Sequence, residues 1–368
     1  MEKGVKSIFW CSDNCYNSNY LWRIVFTLMI ALLHSNYIVK SSDIGWYIAV
    51  DYFFIISGFM LVNSFMRKKQ STGKYIMGRI GKLWPYQLFA FVAFLVWYLC
   101  SGSIGSILGC VDVTLKHLNE VVPFGYFMFD PEFAGGYAYN FPVWYLTVLL
   151  ACSLVIYFFL DKCEAALKYV IAPVAVVLGY GYLYRNCPSF NTGNNIGLFL
   201  NDYYVRGFAG MCIGVIIYFI VREIQKYEFR KSMFWLFRIV EFFCMGGVIV
   251  MSYSHGGKND CWWVLLMSVG VLCSFLYSSE HKISARINTA VFVKWLSELM
   301  YPVFLNHILV IQVLEGCGIK GTKGINLIIY IISLLGYSVI TKLCVDKSVQ
   351  LVKKLTGHMV KRKTESIK

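Results

Sequence analysis

Charge is scarce in this chain. Only 15% of its 368 residues are Asp, Glu, Lys or Arg, against 58% hydrophobic and 17% aromatic, and the mean hydropathy is +0.59. Soluble domains carry about a quarter charged residues, so the composition excludes that class. No hydrophilic stretch is long enough to fold as a separate unit, and no internal repeat is visible, so residues 1–368 read as one membrane domain. Acidic residues are the scarcer sign, 20 against 34 Lys and Arg, for a net charge of +14. The 13 cysteines include no CxxC pair and no Cys/His cluster at metal-ligand spacing, so no metal is expected. Cys110, Cys187, Cys261 and Cys317 can pair as disulfides only if the fold brings them together. The opening segment "MEKGVKSIFWCSDNCYNSNY" (1–20) has no apolar core followed by a small-residue cleavage site, so it is not a removable signal peptide. No exposed basic patch interleaves with base-stacking aromatics, so nucleic acid is not an expected partner.

What the chain has is long apolar runs. They lie near 21–39, 44–66, 83–101, 139–160, 168–184, 204–221, 235–254, 261–278, 295–315 and 325–344. Each is close to the roughly 20 residues a helix needs to cross a bilayer. The fold expected is an all-α polytopic membrane bundle of about ten transmembrane helices. Basic residues set its orientation: Lys3, Lys6, the 67–82 run, Lys162, Lys168, Arg222, Lys226, Arg230, Lys231 and the 345–368 tail fall on one side. Far fewer fall on the other, so both termini are expected in the cytoplasm, with 1–20 and 345–368 as cytoplasmic segments. The net charge then reads as an orientation signal with some attraction to anionic lipid headgroups. The outer connection at 102–138 is long, aromatic and Gly-rich, which suggests a lid on the outer face.

The first run, "LWRIVFTLMIALLHSNYIV", carries two ionisable groups, Arg23 and His34. On a helix they lie about 16 Å apart along the axis and about 20° apart around it, on one face at opposite depths. Ionisable groups inside a membrane helix face a cavity or a partner. In the next run, "WYIAVDYFFIISGFML", Asp51 is the only carboxylate, at about the depth of His34. Asp51 and His34 can therefore pair. A carboxylate that orients an imidazole and raises its basicity makes a general base; a plain hydrogen bond bracing two helices is the other reading. In "KYIMGRIGKLWPYQLFAF", Arg79 and Lys82 are three apart at a cytoplasmic helix entrance, level with Arg23. Three cations at one mouth suit phosphates, although orientation alone predicts basic residues there.

Together these stretches resemble the acyltransferase 3 family of integral-membrane acyltransferases. The resemblance rests on the R-x10-H pair Arg23 and His34, on "DYFFIISGF" with Asp51, Ser57 and Gly58, and on Arg79, Lys82 and Pro85 in "RIGKLWP". It continues through "NFPVWYLTVLL", "YVRGFAGMCIG" and "LSELMYPVFLNH". Two departures stand out: Lys82 replaces the second Arg of the frequent Arg-x-x-Arg, and "WYLTVLLACS" replaces an acidic form of that segment. The resemblance implies transfer of an acyl group, usually acetyl, from cytoplasmic acyl-CoA to a hydroxyl of a glycan or lipid-linked saccharide. It also implies a multi-pass protein of a cell membrane, with a bacterial plasma membrane expected. On this reading His34 and Asp51 are catalytic, and Arg23, Arg79 and Lys82 hold acetyl-CoA or another acyl-CoA.

The remaining candidates lie in the outer layer. Trp144 and Tyr145 either form an interfacial aromatic belt or, like Asn306 and His307, bind the acceptor or a developing oxyanion. His307 has the alternative of an interhelical hydrogen bond, and Arg206 either binds an anionic acceptor or snorkels to headgroups. The competing function is a transporter or flippase whose buried ions form a solute path. Such proteins often show inverted repeats and broken helices, and neither is visible here.

Overall fold

The structure is a computed structural model that describes residues 18–37, 44–102, 106–117, 120–124, 140–191, 195–196, 200–227, 229–253, 259–277, 287–321 and 324–365. The N-terminal segment before residue 18 and most of the expected lid lie outside the described residues. Its helices are α1 (Asn19–Ser35), α2 (Ala49–Arg67), α3 (Thr72–Cys100), α4 (Ile107–Lys116), α5 (Trp144–Lys162) and α6 (Glu164–Asn186). They continue with α7 (Asp202–Ile224), α8 (Lys231–Met251), α9 (Asp260–Tyr277), α10 (Ile287–Gly316) and α11 (Gly324–Glu365). Short 3₁₀ turns, Trp46–Ile48 and Phe141–Val143, lead into α2 and α5, and Asn195–Ile196 pairs antiparallel with Leu200–Asn201.

The ten expected spans fall on α1 to α3 and α5 to α11. Among the described residues, eight helices are long and apolar enough to cross a membrane, and α9 supplies a shorter apolar one. The chain is a polytopic helical membrane protein. Several helices outrun their apolar runs: α3 begins at Thr72, α10 at Ile287, and α11 continues to Glu365. Hydropathy marks the lipid-facing part of a helix, whereas the flanking Lys, Arg, Glu and Gln are good helix formers in water. Ser71 caps α3 by accepting from the Lys74 backbone N–H, and Asn201 caps α7 through Tyr203 N–H at 3.0 Å. In α6, Pro173 follows a π turn at 167–171, a register that accommodates its missing N–H.

α2 and α7 cross so closely that glycine is required at the contact. A Cβ on Gly58 would sit 2.0 Å from the Met211 carbonyl oxygen, and one on Gly214 would sit 2.0 Å from the Ile55 carbonyl oxygen. This is why the "ISGF" stretch holds glycine where it does. At one end of the bundle, Lys69 bridges Asp161 at 3.2 Å and Arg222 reaches the Met66 sulfur. That end carries the basic connections, and the positive-inside rule assigns it to the cytoplasm. His34, Asp51, Trp144, Arg206 and His307 all lie toward the opposite end. Cys187, Cys261 and Cys317 are free thiols, so the fold brings no two of these three together as a disulfide.

Candidate active site

α1 ends one residue beyond His34, and Asn36 stops it in the left-handed region at φ 52°. His34 therefore stands at the lip of the helix, where it meets His307 from α10. His34 Nδ1 lies 2.9 Å from His307 Nε2, the rings stack with centroids 5.1 Å apart, and Phe141 presents its edge at 4.8 Å. His307 is fully buried, and its Nδ1 lies 2.6 Å from the Phe304 carbonyl oxygen. A carbonyl oxygen only accepts, so this Nδ1 carries the proton and the Nε2 of a neutral ring has the lone pair. The bridging proton then belongs to His34 Nδ1. His34 Nε2 is left as the basic nitrogen. The hydrogen-bond network, not an observed proton, assigns this tautomer.

The expected pair of His34 with Asp51 is not formed. Asp51 Oδ2 accepts from Arg206 Nη2 at 2.6 Å and from Arg206 Nε at 3.0 Å, while Oδ1 accepts from the Tyr180 hydroxyl at 3.1 Å. The carboxylate is 0% exposed and the arginine 2%. A carboxylate so buried needs a full countercharge, and a guanidinium supplies that where a neutral imidazole does not. Depth was readable from helix geometry; the direction each side chain faces was not. Arg206 is consequently no snorkelling residue. Its remaining bonds go to the Phe190 carbonyl at 2.7 Å and the Tyr47 carbonyl at 2.9 Å.

Two cavities occupy the face between Arg23 and His34. The inner one, about 250 Å³, has Arg23, Ser57, Ser297 and Glu298 among mainly apolar walls. The outer one, about 140 Å³, is lined by His34, Trp144, Asn191, Tyr203 and Arg206 among others. Ile30, Val50, Tyr145 and Phe304 line both, so the two meet end to end at a shared wall. Of the three expected cations, only Arg23 lines the inner cavity. Arg79 is half-buried, its Nη1 donating to the Tyr75 hydroxyl at 2.8 Å, and it acts electrostatically on Tyr145 together with Arg23. Lys82 is exposed on α3 and lines neither cavity.

A family model described as an acyltransferase domain matches residues 20–345, nearly the whole chain. The chain belongs to this acyltransferase family. Comparison with curated proteins and with solved structures gave no match.

In this acyltransferase, Tyr145 stands in the shared wall, its ring 5.6 Å from Phe304 and 4.9 Å from Phe54, with its hydroxyl against Ser57. Trp144 stacks on Tyr203 at 4.1 Å and walls the outer cavity, so both aromatics belong to the cavities and not to a lipid-facing belt. Asn306 is turned the other way. It donates to Thr341 Oγ1 at 2.8 Å, tying α10 to α11, because neighbouring helical residues point about 100° apart. It lines neither cavity, so the expected oxyanion or acceptor contact is not there. Among the described residues no group of His, Cys, Asp and Glu could hold a metal ion.

The acyltransferase also uses residues that the sequence did not mark. Asp260 accepts from the Tyr47 hydroxyl at 3.0 Å and from Phe190 N–H at 2.8 Å, fastening the segment that brings Asn191 to the outer cavity. His117 is buried with its Nδ1 2.9 Å from Glu120. Glu120 accepts from Asn140 N–H at 2.9 Å, and Asn140 Nδ2 donates to the Leu305 carbonyl at 2.9 Å, two residues before His307. A loop histidine and a loop glutamate three apart gave no periodic signal. Only the packing of this segment against α3 and α5 gives them a place.

Proposed function

We propose that the chain moves an acyl group, acetyl in the simplest case, from cytoplasmic acyl-CoA to a hydroxyl of a glycan or lipid-linked saccharide at the far face of a bacterial plasma membrane. The observation that supports this reading is the pair of end-to-end cavities, with a guanidinium at the inner end and a histidine pair at the outer. Arg23 and Arg79 draw the phosphates of the donor to the inner mouth. The pantetheine arm runs along the Arg23–His34 face, and the roughly 16 Å between Arg23 and His34 is about the reach of such an arm. The acceptor hydroxyl sits in the outer cavity against His34.

His34 Nε2 takes the hydroxyl proton as the oxygen attacks the thioester carbon. The tetrahedral intermediate collapses with cleavage of the C–S bond. The proton on the imidazolium passes to the departing thiolate, so the ester and the free thiol are the products and the enzyme is returned unchanged. His307 holds the His34 ring in the required tautomer. Asp51 and Arg206 fix the outer wall and take no part in the proton transfer. Direct attack is favoured because, among the described residues, no Ser or Cys stands paired with His34 as a nucleophile.

The test is a comparison of envelope glycans and lipids, by mass spectrometry, from cells with and without the chain. An acyl mass lost from one saccharide fraction when the chain is absent supports the reading. Identical acylation in every fraction sinks it.

A further inference from the structure

We infer that Ser297 binds the phosphate end of the acyl donor, alongside Arg23. The inference rests on the acyl-CoA reading given above. Ser297 is 1% exposed, and its Oγ has no hydrogen-bond partner among the described residues. A serine inside a helix has a ready acceptor in the carbonyl three or four residues back. Ser153 uses Leu149 at 2.5 Å, Ser268 uses Val264 at 2.6 Å and Ser274 uses Val271 at 2.7 Å. Ser297 does not take that partner, and it lines the inner cavity. Ser338 is also unpartnered but lines neither cavity, so a free hydroxyl and a cavity wall coincide at Ser297 and not there.

Its position matches the donor's polar end. Arg23 precedes His34 by eleven residues on α1, and Ser297 precedes His307 by ten on α10. Both helices run from the basic end and meet at the histidine pair, so Arg23 and Ser297 lie about 15–16 Å below it, at one level. A hydroxyl that donates and a guanidinium that donates suit a ligand that only accepts, and phosphate oxygens have that character. The Glu298 carboxylate also lines this cavity, with Lys342 Nζ 3.8 Å from it and shared with Asp346 at 3.3 Å. Above this level the walls are mainly apolar, with Ser57 and Tyr145 among them.

The test compares the wild-type protein and Ser297→Ala with two ligands, acetyl-CoA and S-acetylpantetheine, which lacks phosphate. A hydrogen bond to a charged group lost on binding predicts a fall in acetyl-CoA affinity on the order of tenfold or more, with S-acetylpantetheine affinity unchanged. Without ligand, Ser297→Ala should unfold at the same temperature or higher, since it removes an unpartnered buried hydroxyl. Equal acetyl-CoA affinity for both proteins, or the same loss for both ligands, overturns the phosphate contact. If the wild type binds neither ligand, the donor reading itself has failed and this inference with it.

Discussion

Arg206 closes on Asp51 with two N–H groups aimed at one carboxylate oxygen, 2.6 and 3.0 Å away, and leaves the other oxygen to Tyr180. The pair joins α2 to α7 at the level of the outer cavity, and Tyr180 adds α6. It also separates two roles that the sequence had merged. The carboxylate braces a wall of the outer cavity through Arg206, while His34 is held by a second histidine.

Breaking that pair should cost stability before it costs chemistry. Arg206→Ala strands a buried carboxylate, and the expected loss is about 3–5 kcal/mol of folding free energy. Asp51→Asn keeps an oxygen for Arg206 and should be milder. Thermal unfolding of the purified variants in detergent ranks them, and an Arg206→Ala protein as stable as the wild type would remove the pair from the list of structural supports.

The α2–α7 crossing makes a second, independent demand. Gly58→Ala or Gly214→Ala places a methyl group 2.0 Å from a backbone oxygen on the facing helix, which neither helix can yield without separating. Overpacking typically costs about 1–3 kcal/mol, and a clash with backbone belongs at the upper end or beyond. The folded fraction recovered by size exclusion should drop sharply for both. Gly246→Ala, where nothing stands within 4 Å, should leave it unchanged.

How much of this was legible in the sequence follows from which distances lie within one helix. Arg23 and His34 share α1, so their separation and common face could be computed from rise and turn alone, and both line the predicted face. The helices of the bundle were legible because apolar runs of bilayer length have few other uses, although eight of the ten expected spans are long and apolar enough to cross among the described residues. Asp51 and His34 lie on different helices, and their shared depth fixed nothing about azimuth. Arg206 won the carboxylate through packing that no spacing encodes. Asn306 and His307 are adjacent, so the sequence treated them alike, yet one faces Thr341 on α11 and the other meets His34 on α1. His117 and Glu120 were invisible for a further reason: their burial depends on contacts with Gln87 and Asn140, far away in the chain, that no spacing encodes.

The cations at the inner mouth should now separate. Arg23 lines the cavity, so Arg23→Ala should weaken acetyl-CoA binding on the order of tenfold or more, the size of a lost charge-assisted hydrogen bond. Lys82 is exposed and lines neither cavity, so Lys82→Ala should change the affinity little beyond a salt-dependent long-range effect. Calorimetric titration at low and high salt distinguishes them. Equal losses for both variants at high salt would return Lys82 to the phosphate clamp.

The histidine pair yields the sharpest test, because the tautomer assigns the two rings different work. If His34 Nε2 accepts the hydroxyl proton, His34→Ala should lose on the order of 10²–10⁴ in turnover, the usual contribution of a general base. His34→Gln should lose nearly as much, since an amide takes up no proton, and acetyl-CoA binding should survive in both because Arg23 lies at the far end of α1. His307 accepts from His34 Nδ1–H and donates to the Phe304 carbonyl. A glutamine oxygen can stand where His307 Nε2 stands, so His307→Gln should keep much of the rate, while His307→Leu leaves the His34 proton without its acceptor and should fall well below it. Single-turnover acyl transfer, measured beside acetyl-CoA binding for all four variants, gives the order. Should His307→Gln prove as inactive as His34→Gln, the proton must pass through both rings and the division of labour is wrong. Should His34→Gln retain near-normal transfer while His307→Gln does not, the base is His307, and the outer cavity must admit the acceptor more deeply than its lining now suggests.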